Sequence, residues 1–515
     1  MSRRVIGVAS LIYGVSILLS RLVGLIRESV IGRTLGDGPE ADVYWTAFVL
    51  PDFLNYLLAG GVLSIVFIPM FQRYLAAGDE EGGWRAFSAI ANVLTGLLLL
   101  ATAALWALTP KLTPIIAPGL DAGQLVLLDR LVRIILPAQI FHLTGGLISA
   151  TLQARDAHAA PAAAPVVYTG CIVAGGLLLG PTLGAEGFAW GVLAGSALGP
   201  FGLPLVAAVR RGLRWRLGLN LRHPDLRRYL LLSLPVMLGF SVVVLDDMVI
   251  KHYASSVAEG VISRLQYART LMKVPMGVFG MAAGLAAFPT LSRLIAGGQR
   301  EEAWRTLVGA LRLMLLLAFT AQVGLTVAGT EIAAVVWGRA RFTPAELADI
   351  GRYTGLLCLG LWAWSAQMLI ARGFYAQGDT WTPTLVGSGV MAVTFPVYGL
   401  LADRAGGDGL ALASSAAISL YLAALMLLLR RRLGRDVEGP GLLDALWRLA
   451  LAAGGGIGVG LLLDRALPAW PALLRGALNG GVAALTCLAL ARALRLPEVS
   501  RLLGVLRRKL RRGRA

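Results

Sequence analysis

The chain has 515 residues, of which 57% are hydrophobic and 15% charged, with a mean hydropathy of +0.72 and a formal net charge of +18. A soluble globule carries about 25% charged residues because its surface must be solvated. This composition excludes one and makes the bilayer the solvent. The positive charge does not indicate nucleic acid, because the arginines sit in short clusters between apolar runs and no recognition helix, zinc finger or aromatic-basic strand accompanies them.

Apolar runs and Gly/Pro breaks predict about fourteen membrane-spanning helices. In chain order they begin near Val5, Ala41, Trp84, Leu125, Pro161, Gly187, Tyr229, Ile262, Trp304, Gly351, Thr382, Gly409, Leu442 and Pro471. The first run passes straight into arginine-containing sequence without an A-x-A site, so no cleavable signal peptide is expected. With the N-terminus inside and the spans alternating, inside loops collect about 29 Lys/Arg and outside loops about 10. The connector Arg210–Arg228 and the cluster Arg430–Arg435 dominate that count. Both termini are therefore expected in the cytoplasm. The tail RLLGVLRRKLRRGRA reads as an amphipathic basic segment suited to an anionic inner leaflet.

The chain also repeats itself. FIPMFQRYLAAGDEEGGWRAF from Phe67 matches AFPTLSRLIAGGQREEAWRTL from Ala287, pairing Pro69 with Pro289, Arg73 with Arg293, Gly78 with Gly298, Glu81 with Glu301, and Trp84-Arg85 with Trp304-Arg305. At nearly the same offset Leu147-Ile148, Ala154 and Pro161 pair with Leu369-Ile370, Ala376 and Pro383, and Glu186-Gly187 pairs with Asp408-Gly409. Each repeat holds six spans, an even number, so the copies share one orientation. The expected fold is an all-α membrane protein of two parallel-repeat six-helix bundles plus two extra C-terminal helices. The expected divisions are 1–220, 221–437, spans 13 and 14 over 438–496, and a basic cytoplasmic tail over 497–515. Transporters with parallel repeats hold substrate near the midplane between the halves.

Charges inside the spans mark the candidate site, since each costs roughly 2.5–3.5 kcal/mol at a span centre. Span 1 contains Ser20, Arg21, Arg27 and Glu28, with Gly24 and Gly32 permitting a bend. Arg21 and Glu28 are seven apart and share a face, whereas Arg27 points elsewhere. Span 2 brings Asp42, Asp52 and Asn55, span 7 brings Asp246-Asp247, span 8 brings Arg269 and Lys273, and Asp379 precedes span 11. Arginines suit phosphate recognition. The acids either balance the empty site or bind a coupling cation or proton. For Asp246 and Asp247 a simple ion pair with arginine remains equally open, and snorkelling is the plainer reading of Lys273. Cys171, Cys358 and Cys487 form no CxxC and read as core residues. The histidines His142, His158, His223 and His252 show no ligand spacing. No metal and no cofactor are expected, with Na+ or H+ the candidate coupling ions.

These residues resemble the MurJ/MviN family of lipid II flippases, in the multidrug/oligosaccharidyl-lipid/polysaccharide exporter superfamily. The likeness runs over nearly the whole chain and is strongest from SRLVGLIRE through LGDGPEADVYWTAFVLPDFL to AGGVLSIVFIPMF. There Ser20, Arg21, Gly24, Arg27, Glu28, Asp42, Pro51, Asp52, Ser64, Phe67 and Pro69 fill the family pattern. YARTLMKVPMGVFGMA and GFYAQGDTWTP are similar to its later segments. The resemblance implies a transporter that makes and breaks no bond. It would carry undecaprenyl-pyrophosphate-linked peptidoglycan precursor across the bacterial cytoplasmic (inner) membrane for cell-wall biogenesis, by alternating access. It also implies a cationic headgroup cavity lined from spans 1, 2 and 8, a groove for the lipid tail at spans 13 and 14, and cell-wall synthesis enzymes as candidate partners. Asn55 and Gly60 stand where the family commonly has Arg and Glu, and Arg269 stands one residue before the family arginine position, here Thr270. One step turns a side chain by about 100°.

Four other readings compete. A flippase for another polyprenyl-linked saccharide fits the less cationic cavity. A multidrug-cation exporter of the same fold wants an acidic, aromatic site, which the span 1 arginines disfavour. A polyprenyl-saccharide ligase or polymerase wants a large outside loop with acid–base residues, and the outside loops here are short. A scaffold without transport leaves the intramembrane charges unexplained.

Overall fold

The computed structural model describes residues 23–59, 66–237, 242–338, 341–433, 441–466, 470–500, 502 and 504, with the side chains of 57–59, 234–237, 243 and 280–289 left aside. Every regular element among them is a helix. That is what hydrocarbon demands of a chain without a closed barrel, because a helix satisfies its own backbone polar groups. Ser20, Arg21, Gly60, Ser64, the predicted start at Val5 and most of the basic tail lie outside the described residues. The other predicted starts each fall on a helix or, for Pro471, at a helix N-cap. By length and hydropathy alone, eight described stretches can cross a membrane, or nine if Pro344–Cys358 and Leu361–Tyr375, bent by 43°, form one span.

The chain divides into two compact units, Met1–Ser263 and Arg264–Ala515. The first begins with α1 (23–35), α2 (Pro39–Thr46), α3 (Val49–Ala59), α4 (Ile68–Ala76) and α5 (Glu80–Ile116). Asp79 caps α5 by accepting the Gly82 N–H at 2.8 Å. Next come α6 (Ala122–Ile135), α7 (Ala138–Ala154), α8 (Ala159–Leu183) and α9 (Ala185–Ser196). A π-helical turn over Ala197–Gly202, containing Pro200, leads into α10 (Leu203–Val209). Proline cannot donate in the helix ladder, so the wider turn is the local solution.

Between α8 and α9 the backbones nearly touch. A Cβ on Gly187 would lie 2.7 Å from the Gly180 nitrogen, and one on Gly191 2.7 Å from the Cys171 carbonyl. One on Gly195 would lie 2.7 Å from the Tyr168 carbonyl, and one on Gly199 2.6 Å from that of Ala164. Lipid tails are as apolar as leucine, so helices in a bilayer associate through such close packing rather than through a hydrophobic drive.

After the Arg-rich connector, α11 (Pro224–Met237) and α12 (Val242–Ala254) pack on α3 and α5. The C-terminal end of α12 is tied to the end of α5 by Ser255 Oγ, which accepts the Gly119 N–H at 3.2 Å, and by His252 Nδ1 at 3.0 Å from the Ile115 carbonyl. The sequence repeat places a junction at 220/221, whereas packing keeps this hairpin with the first unit.

The helix α13 (Val261–Ala296) leads into the second unit, which holds α14 (Arg300–Trp337), α15 (Pro344–Cys358), α16 (Leu361–Tyr375), α17 (Trp381–Leu433), α18 (Leu442–Ala466) and α19 (Ala472–Ala493). The 53 residues of α17 run to roughly 80 Å at 1.5 Å each, far more than one bilayer, and break at Gly406. The added hairpin α18–α19 sits on α14 through a core that includes Phe319, Val323, Val327, Ala452, Ala483 and Cys487. Ionic clusters fasten it at two levels. Arg312 Nε meets Glu498 Oε1 at 2.7 Å; Arg475 Nη2 meets Asp464 Oδ1 at 2.8 Å, with Glu331 Oε1 3.6 Å from Arg475 Nε. Arg312 and Glu331 are 19 residues apart on α14, about 28 Å of helix, which is close to the thickness of the hydrocarbon.

Within each unit, by itself, the duplication reappears as geometry. Gly184 has φ 57°, ψ −131°, and Gly406 has φ 56°, ψ −132°. A capping box of Asp121 with Gln124 opens α6, and one of Thr343 with Glu346 opens α15. Arg130 pairs with Glu186 at 2.6 Å, and Arg352 with Asp408 at 2.8 Å. All three features keep the offset of the Glu186/Asp408 match. The glycine conformation is one that other residues essentially cannot adopt. Replacing Gly184 or Gly406 by Ala is expected to lower stability by about 1–3 kcal/mol, read as a fall in the unfolding temperature in detergent. Gly184 should suffer more, because the new Cβ would fall 2.0 Å from Glu40 Oε1, which accepts the Ala185 N–H at 2.6 Å.

Candidate functional site

In the first unit the charges of α1, α3 and α12 converge. Arg27 Nη2 meets Glu28 Oε1 at 2.5 Å, with Glu28 only 4% exposed. Adjacent residues on a helix diverge by about 100°, so the long arginine side chain folds back to reach the carboxylate. Spacing sets Arg27 off the Glu28 face, and Arg27 nonetheless pairs with it. Its Nε is buried without a hydrogen-bond partner among the described residues. An unpaired guanidinium here would carry a heavy desolvation cost, which explains the short pair.

Two tyrosines link these charges to the next ones. Tyr168 of α8 lies within electrostatic reach of Arg27, Glu28 and Asp52, and Tyr44 of α2 within reach of Arg27 and Glu28. Tyr44 is fixed by edge contacts with Phe48 at 5.2 Å and Phe188 at 5.8 Å. Tyr56 senses both Asp52 on α3 and Asp247 on α12. Asp247 Oδ2 pairs with Lys251 Nζ at 2.7 Å one turn along α12, and its neighbour Asp246 is fully buried. Asn55, half-buried, follows Asp52 by one turn. His142 Nε2 lies 3.0 Å from Ser196 Oγ, and its ring stands edge-on to Tyr168 at 5.2 Å.

Not every expected site residue joins this group. Asp42 is a structural cap, with Oδ2 accepting the Gly260 N–H and Oδ1 the Ser263 N–H, both at 2.7 Å. It satisfies the buried start of α13, where helix N–H groups lack intrahelical acceptors. In the second unit Arg269 is buried, while the Thr270 hydroxyl donates to the Gln266 carbonyl of its own helix at 3.0 Å. Lys273 is exposed. Asp379 closes the α16–α17 turn. It accepts the Thr382 N–H at 2.9 Å, the Thr382 hydroxyl at 2.6 Å and Arg432 Nη1 at 2.5 Å.

The matched family model, "Lipid II flippase MurJ", covers residues 31–465. The chain belongs to that family. A probable lipid II flippase MurJ of Rhizobium tropici is 30% identical over 440 residues, spanning 81% of this chain and 80% of that protein. Among solved structures, a lipid II flippase MurJ in an inward closed conformation shares 20% identity at a TM-score of 0.78, covering 94% of this chain and 100% of that one. An inward-facing multidrug resistance MATE family transporter of the MOP superfamily shares 15% at a TM-score of 0.65, covering 82% and 99%. At those identities the structures report the fold alone.

The charges of this candidate site stand out in the sequence, whereas Tyr44, Tyr56 and Tyr168 do not. The available signal was a hydroxyl-bearing ring within an apolar run, which buries only where its polar end has company.

The Asp379 turn yields a pH prediction. Burial alone would raise its carboxyl pKa, but the Thr382 hydrogen bonds and the Arg432 guanidinium outweigh that and hold it below the ordinary 3.8. A depressed folded pKa stabilises above the unfolded value and loses that contribution as pH falls through the folded one. Asp379→Asn should therefore unfold at a lower temperature than the parent at pH 7, with the gap closing below pH of about 4; a gap independent of pH would refute the assignment.

Proposed function

We propose that this chain moves lipid II, an undecaprenyl-diphosphate-linked peptidoglycan precursor, from the inner to the outer face of the bacterial cytoplasmic membrane, with both termini cytoplasmic. Family membership over most of the chain supports the substrate. The observation that carries the chemistry is the buried Arg27–Glu28 pair beside Tyr44 and Tyr168. Glu28 neutralises Arg27. An arriving diphosphate competes for the same guanidinium, which is suited to planar, multidentate oxyanion recognition. Ser20, Arg21, Asp52 and Asn55 complete the proposed headgroup set of the first unit, and Asp42 acts on it only as a scaffold. No bond is made or broken. The work is exchange of a hydrated headgroup between two faces by alternating access.

The expected experiment uses purified protein in liposomes with labelled lipid II. The parent chain should bring the label to the opposite leaflet. Arg27→Ala should bring transport to background while eluting and unfolding like the parent. Transport by a well-folded Arg27→Ala at the parental rate would remove Arg27 from the site.

Coupling is proposed to lie at Asp246 and Asp247, with Na+ or H+ as the ion, because Asp379 is committed to its turn. The acid pair sits in the helix that faces Asp52 across Tyr56, so its charge state bears on the headgroup site. Asp247→Asn is expected to shift the sodium or pH dependence of transport in the same liposomes. An unchanged dependence would leave Asp247 as merely the counter-ion of Lys251.

A further inference from the structure

The connector between α10 and α11 is not a loose loop. Residues 213–220 run without helix along the N-terminal third of α5, and their backbone is pinned there. Arg216 N–H donates to Ser88 Oγ at 3.0 Å, and Asn92 Nδ2 donates to the carbonyls of Arg216 at 2.7 Å and Gly218 at 2.9 Å. The Trp215 indole N–H donates to Asn92 Oδ1 at 2.7 Å, and its ring stands edge-on to Phe87 at 5.7 Å. Arg214 and Arg216 both reach Glu81, at 3.0 and 2.6 Å.

This strap then turns three leucines outward. Leu217 is 89% exposed, Leu219 74% and Leu221 68%. Lying within five residues of one another, the three make one exposed apolar edge. No described helix covers it. Arg210, Arg211, Arg222, Arg227 and Arg228 flank it, all exposed and absent from every ion pair found among the described residues.

The depth of the strap follows from α5. Exposed Arg85 and Lys111 bracket its apolar stretch and are 26 residues apart, about 39 Å of helix. That is close to a bilayer with its headgroups, about 40–45 Å. Ser88 and Asn92, which hold the strap, are three and seven residues inward of Arg85, about 4–10 Å along the helix. The leucine edge therefore lies where headgroups meet hydrocarbon, with unpaired arginines beside it.

We propose that the strap is a docking surface for anionic phospholipid. The leucines insert at the acyl boundary, and the flanking arginines bind lipid phosphates on the face that the arginine count assigns to the cytoplasm. Insertion alone would suit any lipid; it is the surplus of arginines that selects negative headgroups. The inference is independent of the transported substrate, since none of these residues belongs to the proposed headgroup set.

The test places an environment-sensitive fluorophore on Leu219→Cys in a Cys171→Ser background, the other two cysteines being buried. The protein is reconstituted in nanodiscs of phosphatidylcholine alone or with phosphatidylglycerol. The expected result is blue-shifted emission, quenched by lipids doxylated near the carbonyl and shielded from iodide. Phosphatidylglycerol should raise the unfolding temperature of the parent, and this shift should shrink at 1 M salt, where screening is short-ranged. It should be lost in the variant carrying Arg222→Gln, Arg227→Gln and Arg228→Gln. A label open to iodide in both discs, or protected only when a cytoplasmic protein is added, overturns the proposal. So does a phosphatidylglycerol shift that survives the triple substitution.

Discussion

A charge placed in hydrocarbon must find a counter-charge in the protein, and the organisation of this chain follows from that constraint. Arg27 folds back onto Glu28, Asp247 pairs one turn along with Lys251, and Arg312 meets Glu498. Each pair sits where an isolated ion would carry the insertion cost of its span. Pairing, however, does not make all of them equivalent. Arg312–Glu498 and the Arg475 cluster lie among packed helices and fasten the added hairpin to α14. Arg27–Glu28 lies beside tyrosine hydroxyls and a second group of acids, where an incoming anion has a reason to exchange partners.

The rest of the scaffold serves to hold those pairs in register. Glycines spaced by four let α8 and α9 meet backbone to backbone, which fixes Tyr168 opposite α1. Asp42 joins α2 to the start of α13 through two backbone N–H groups, so a residue with the look of a site carboxylate is a joint. Asp379 is the corresponding case in the second unit, a turn clamp that shares its charge with Arg432. In both, short hydrogen bonds to every carboxylate oxygen mark structural use.

Duplication and divergence can be separated residue by residue. The copies agree in a glycine with the same unusual backbone, a capping box and an Arg–acid pair. They differ where substrate chemistry is proposed. Arg27–Glu28 belongs to the first copy, and the second begins with Asp246-Asp247. Packing then leaves α11 and α12 with the first unit, so the acids of the second copy come to stand beside Asp52.

The sequence by itself determined the membrane class, the spans read from hydropathy, the arginine asymmetry, the internal repeat and the identity of the charged residues. All of these depend on composition and period, which a one-dimensional chain carries in full. It did not determine which carboxylates were occupied. Whether Asp42, Asp379 or Asp52 has free oxygens depends on backbone N–H groups and side chains brought from distant positions. Nor did spacing disclose that Arg27 pairs with Glu28, because a flexible arginine reaches its partner by rotamer rather than by helical phase. Only the tertiary structure decided that the Arg-rich connector is pinned to α5, since Ser88 and Asn92 are more than a hundred residues away along the chain. Long-range hydrogen bonds of that kind leave no periodic trace in sequence.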